Sequence, residues 1–206
     1  MRRKIESGFT TMEVLVASVL IVVLGMGILG LQVIISDSQV NTFNGSIAVD
    51  GANYSVSTIS RELRTARQAD SGSYPVVLAD DNEIIFYSDI DFDDSSERVR
   101  YYLVDTILYK DVIEPIGYPA TYPSGSAQTK IIVENVRNGA VPIFLYFNDG
   151  WPSDTANNPL PTPASLLDVK LIRISLRINP LENNPTSDFV LESYVGIRTL
   201  KDNLAE

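Results

Sequence analysis

Five acidic side chains crowd one short stretch: Asp89, Asp91, Asp93, Asp94 and Glu97, in the run SDIDFDDSSE, with Asp80 and Asp81 shortly before. Aspartates alternating along a loop present several hard oxygens to one point, the donor set that Ca²⁺ takes. The spacing is not that of an EF-hand. Counted from Asp89, the sixth position is Asp94 where that loop needs glycine, and the twelfth is Arg100 where it needs a bidentate glutamate. A solvated hairpin turn, its charge keeping the surface soluble, accounts for the same residues. A pair of these carboxylates flanking a scissile bond would make a membrane-anchored extracellular hydrolase, but spacing along the chain does not place two of them across a bond.

Other chemistry is excluded by composition. The 206 residues contain no cysteine and no histidine. Disulfides, thiolate nucleophiles, Ser-His and Cys-His arrangements and the commonest zinc ligands are therefore absent from the sequence. No S-x-x-K, P-loop or GxGxxG pattern appears. The sequence reads as non-enzymatic, with no required cofactor, Ca²⁺ being the one candidate ion. Sixteen basic and 26 acidic residues give a net charge of −10, which argues against bulk attraction to nucleic acid.

One further carboxylate stands apart. Glu13 opens a stretch, Val14 to Ser36, with no charged residue. As a helix, 23 residues at 1.5 Å each span about 35 Å, enough for a hydrocarbon core of about 30 Å. A signal peptide expects a shorter apolar region and a small-residue cleavage site, which the following SDSQVNTF does not supply. Arg2, Arg3 and Lys4 precede the span, so the N-terminus is expected in the cytoplasm and the bulk of the chain across the membrane. From Asp37 onward, 13 basic and 24 acidic residues leave that part at −11. An unpaired carboxylate at the membrane edge is costly. Cleavage after Gly8 would give Phe9 a free amine, and Glu13, about 6 Å further along a helix, could pair with that amine or a neighbouring subunit's. Snorkelling of Glu13 to the headgroups is the other reading.

A basic leader, then GFTTMEVLVA, then an uninterrupted apolar span resembles the class III signal of type IV pilins and type II secretion pseudopilins. The resemblance implies that a prepilin peptidase cuts between Gly8 and Phe9 and N-methylates Phe9. It also implies that Glu13 neutralises a neighbour's N-terminus as helices pack into a filament on an inner-membrane assembly platform. The implied fold is α+β: a long N-terminal helix, its second half packed on an antiparallel sheet. The implied location is single-pass in the inner membrane before assembly, then a surface pilus or periplasmic pseudopilus. Many relatives carry a proline in the span, whereas all 11 prolines here lie at or after Pro75. Gly25, Gly27 and Gly30 are the weak points instead, either for stretching or for close helix packing.

The elements follow from period. After leader 1–8 and helix segment 9–36, residues 37–70 carry an apolar face: Val40, Phe43 and Ile47, then Ala52, Val56, Ile59, Leu63 and Ala66. Arg61, Arg64 and Arg67 beside Glu62 read as a solvated ridge. The β-rich head, 71–206, holds 15 of the 18 aromatics and seven expected strands: Glu83–Ser88, Glu97–Val104, Ile107–Val112, Lys130–Val136, Val141–Phe147, Val169–Ile178 and Phe189–Thr199. Loops 114–128 and 148–165, the latter with Trp151, suit a tip adhesin as the alternative function. Residues 55–112 loosely resemble minor pilins and pseudopilins of the PilW/GspJ-like type, which implies a low-copy subunit of a tip or priming complex.

Overall fold

A computed structural model describes residues 10–179 and 188–200, and within the helix it leaves out the side chains at 37 and 40–44. The expected leader, Gly8 and Phe9 lie outside the described residues, as do the side chains of Val40 and Phe43. Helix α1 runs Thr11–Arg64. The chain divides into two compact units, Met1–Asn44 and Gly45–Glu206.

In the first unit, Thr11–Ser36 is an uninterrupted apolar helix of 26 residues, long and apolar enough to cross a membrane, with none of its most apolar stretch buried. Helicity continues through Gly25, Gly27 and Gly30, and a Cβ at any of them would meet nothing within 4 Å. No contact among the described residues therefore requires glycine there.

In the second unit the helix presents the expected face. Ala52, Val56, Ile59, Leu63 and Ala66 are buried, at the 4–3 spacing that keeps side chains on one side. The helix ends six residues before the expected boundary at residue 70. Arg61 and Arg64 sit in the last turn, where cations suit the dipole. There Thr65 Oγ1 reaches the carbonyls of Arg61 (3.2 Å), which also accepts the Thr65 amide, and of Glu62 (3.1 Å), which also accepts from Ser88 Oγ.

The head is built from two antiparallel meanders rather than one sheet. Strands β1 (Val76–Ala79), β2 (Glu83–Ser88), β3 (Glu97–Val104), β4 (Ile107–Ile113) and β5 (Gln128–Val133) pair in sequence order. Strands β6 (Phe144–Phe147), β7 (Leu171–Ile178) and β8 (Phe189–Gly196) form a second sheet. Strand β1 was not expected: four residues, bounded by Pro75 and paired through a register irregularity, are too short for an alternation to show. The apolar runs before Phe144 and Leu171 are longer than the strands they contain.

Polar contacts tie the layers together. Ser55 Oγ on α1 donates to the Ile132 carbonyl of β5 (3.2 Å), and Ser60 Oγ donates to Ser193 Oγ of β8 (2.9 Å). Tyr146 Oη on β6 donates to the Asp80 carbonyl after β1 (2.8 Å). The helix face, Phe86, Tyr101, Phe144, Tyr146, Ile172 and Ile174 belong to one buried core.

Candidate functional site

Two places carry the residues singled out above, one in each unit. The first is the helix start. Glu13 Oε2 accepts hydrogen bonds from the Thr10 backbone amide (2.8 Å) and Thr10 Oγ1 (2.9 Å), while the Glu13 amide donates to Thr10 Oγ1 at 3.3 Å. Thr10 is the cap and Glu13 the third helical residue, the reciprocal arrangement of a capping box. The sequence signal was present, since a threonine three residues before a glutamate at the head of an apolar run is that box's signature. Glu13 thus has a role within its own chain beside any role toward an amine. Beyond it, Met12, Val14, Leu15 and the large apolar side chains through Ile35 are exposed.

The second place is the β2–β3 loop. Its position is fixed by the segment after the helix. Arg67 Nε donates to Ser96 Oγ (2.7 Å), its guanidinium donates to the Asp94 carbonyl, and the same group pairs with Asp89 at 3.6 Å. Asp70 accepts from the Ser96 amide at 3.0 Å, and Tyr122 Oη donates to the Ser96 carbonyl at 2.8 Å. Within the loop, Asp89 Oδ1 accepts from the Phe92 amide and Asp93 Oδ1 from the Ser95 amide. Phe92 and Asp94 adopt left-handed φ values of 65° and 73°.

Of the five acidic residues, three are brought together. One carboxylate oxygen each of Asp89, Asp91 and Glu97 lies within 4.8 Å of the other two. Asp93 and Asp94 are exposed and do not join that set. Glu97 is the unusual member. It is the first residue of β3, on the inward face with Val99 and Tyr101, and is 0% exposed. Its Oε2 accepts from the Ile90 amide at 2.7 Å, whereas Oε1 is enclosed without a hydrogen-bond partner. Burial pushes the Glu97 carboxyl up to about 7, outweighing the Ile90 hydrogen bond, and the Glu114 and Asp91 carboxylates push the same way. Burial, then Asp91 and Asp93, likewise raises Glu114. Asp80 and Asp81 lie at the β1–β2 turn, where Asp81 accepts from Thr162 at 2.7 Å.

One expectation is overturned. Glu62 is not on a solvated ridge; it is buried, and its Oε1 pairs with Lys110 Nζ at 2.7 Å while Oε2 accepts from Tyr101 Oη at 2.7 Å. Lys110 is buried too, on the β4 face shared with Leu108. A position adjacent to Leu63 on the apolar face put Glu62 inside, and the alternation Leu108, Lys110 was the matching signal on the sheet. Arg61 and Arg64 are exposed, as expected of a ridge, whereas Arg67 lies past the helix end, half-buried and bonded to the β2–β3 loop.

Loop 148–165 is held by its own amides. Asn158 donates to Asn148 Oδ1 (2.7 Å) and to the Asp154 carbonyl (2.9 Å), and the Trp151 ring packs on Phe147 at 4.7 Å. In loop 114–128, Tyr118 is fully exposed, while the Tyr122 ring packs at a tilt against Tyr87, centroids 4.9 Å apart.

No protein-family model matches this sequence, and no curated protein matches it.

Proposed function

We propose that this chain is a non-enzymatic minor pilin or pseudopilin. It is cleaved after Gly8 by a prepilin peptidase and N-methylated at Phe9. It then packs by its N-terminal helix against other pilin or pseudopilin subunits in a tip or priming complex. One observation carries the reading. A single helix, Thr11–Arg64, opens with a capped carboxylate in a predominantly apolar, exposed segment of 26 residues, and ends with a face buried in a β-rich head. In a monomer, those 26 residues have no protein to cover them. A bilayer covers them first and neighbouring helices cover them in a filament, so the same surface serves anchoring and assembly. Glu13 supplies the charge that sets register with the next subunit's amine.

Intact mass of the membrane-extracted chain is the direct test. A mature chain beginning at N-methyl-Phe9 is expected, and a retained leader overturns the reading. Filament assembly measured with Glu13→Ala tests the packing step: assembly is expected to be lost, and unchanged assembly rejects it.

A further inference from the structure

We infer that the β2–β3 loop is a calcium site built from Asp89, Asp91 and Glu97. The inference rests on the head alone and holds whether or not the chain assembles into filaments.

Three carboxylates converge on one point, and this is the only such set among the described residues. Convergence of exposed acids alone would mean little, because water solvates each separately. Glu97 changes that. Strand alternation forces its side chain inward, and its Oε1 has neither water access nor a donor. A buried acceptor left without a partner forfeits its hydration with nothing in return, so folded chains seldom keep one. Among the described residues only one other buried side-chain polar atom, Arg173 Nε, lacks a partner. The Glu97 carboxylate thus has an orphaned oxygen and offers one oxygen within 4.8 Å of an oxygen each of Asp89 and Asp91, and a cation answers both deficits.

The nearest protein cation does not. Arg67 reaches only Asp89 of the three, at 3.6 Å, and the nitrogen that does so also donates to the Asp94 carbonyl, while Nε donates to Ser96. Asp89 Oδ1, which accepts from the Phe92 amide, keeps a second lone pair for a metal, and Oδ2 is only ion-paired with Arg67 at 3.6 Å. Asp91 and Glu114 act on Glu97 as like charges, and among the described residues the one ion pair made by any of the three site carboxylates is Asp89 with Arg67. An all-oxygen donor set selects a hard ion. A loop providing three carboxylates, with waters to complete the shell, suits Ca²⁺, which accepts irregular geometry, better than Mg²⁺, which demands an octahedron. Asp93 instead fastens the turn by accepting from Ser95, and Asp94 lies outside the set.

The test uses the full chain in detergent micelles, stripped with EGTA and titrated with CaCl₂ or MgCl₂. One Ca²⁺ per chain is expected by calorimetry, with a dissociation constant of about 10⁻⁵–10⁻³ M. A hundredfold excess over that constant should raise the unfolding midpoint by about 5 °C. Asp91→Asn and Glu97→Gln should each weaken binding at least tenfold, whereas Asp93→Asn and Asp94→Asn should leave it within about threefold. Asp91 is exposed, so its variant tests the site without disturbing the core. Absence of calcium-dependent heat and stabilisation in the unmodified chain overturns the site. Equal weakening by Asp93→Asn and Asp91→Asn overturns its composition, and an equal response to Mg²⁺ overturns the choice of ion.

Discussion

Two buried carboxylates show how the surroundings of a side chain decide its worth. Glu62 has both oxygens satisfied, by Lys110 and Tyr101, in the middle of the core. Removing one partner leaves the other charge buried and unpaired, so Lys110→Ala is expected to destabilise by about 3–5 kcal/mol in urea unfolding, against under about 0.5 for exposed Arg61→Ala. Replacing both, as Glu62→Gln with Lys110→Met, should recover most of the loss; a double variant as weak as the single would show that packing rather than charge is responsible. Glu97 has one oxygen satisfied, and its carboxyl is raised from 4.5 to about 7. The folded state therefore holds that proton more tightly than the unfolded state. Its stabilisation is complete below about pH 4.5 and is lost as pH rises through about 7. With calcium chelated, stability should fall by about 2 kcal/mol over that window, and Glu97→Gln should remove this part of the slope. Denaturant midpoints at pH 5, 6 and 7.5 decide it: parallel profiles for the two proteins would contradict the raised value. Glu13 bonds its own chain as well as carrying a charge, so Glu13→Ala removes a cap along with the carboxylate. Glu13→Gln keeps an acceptor for Thr10 without the charge. If assembly depends on charge, both variants fail; a working Glu13→Gln would assign Glu13 to the cap alone.

At the scale of elements, the helix face was written plainly in the sequence. Ala52, Val56, Ile59, Leu63 and Ala66 repeat at helical spacing and are all buried. Leu63→Ala should cost about 2–5 kcal/mol, and Tyr54→Ala, on the exposed side, far less, by thermal unfolding. Strands with strict alternation were equally legible: β7 places Ile172, Ile174, Leu176 and Ile178 inward as the period demands. What stayed hidden has physical reasons. Four-residue β1 carries too few positions to show a period. Whether consecutive strands share one sheet or form two depends on non-local pairing, and here β5 ends at Val133 with no partner strand among the described residues on its far side. The acidic loop was found by composition, yet which of its carboxylates converge was not. Asp93 and Asp94 resemble Asp91 in every local respect; only the left-handed turns at Phe92 and Asp94 and the inward pleat at Glu97 separate them. Burial of Glu62 and Lys110 escaped because charged residues are ordinarily placed outside, and period carried the better information.

For the whole molecule, the two compact units carry opposite solvent preferences, one a naked apolar helix and the other a head with its own core. The full chain should partition with detergent, and a fragment starting at Gly45 should stay in the aqueous phase with a β-rich circular dichroism spectrum. A fragment that is unfolded or insoluble would show that the head depends on the first unit. The topology has a further bearing on how the chain acquires its shape. Every strand in both sheets pairs only with strands adjacent in sequence. The β1–β2, β2–β3 and β3–β4 hairpins can zip as soon as their strands exist, with little loop-closure entropy to overcome, whereas β5 and β7 follow the longer connections 114–127 and 148–170. If the N-terminal helix is held in a bilayer while the remainder is delivered across it, β1 to β5 can assemble in order of arrival. The early aromatics Phe86 and Tyr101 then wait only for β6 to β8 to close the core. Such a meander has no strand that must be threaded between two already formed, so vectorial delivery and folding need not compete.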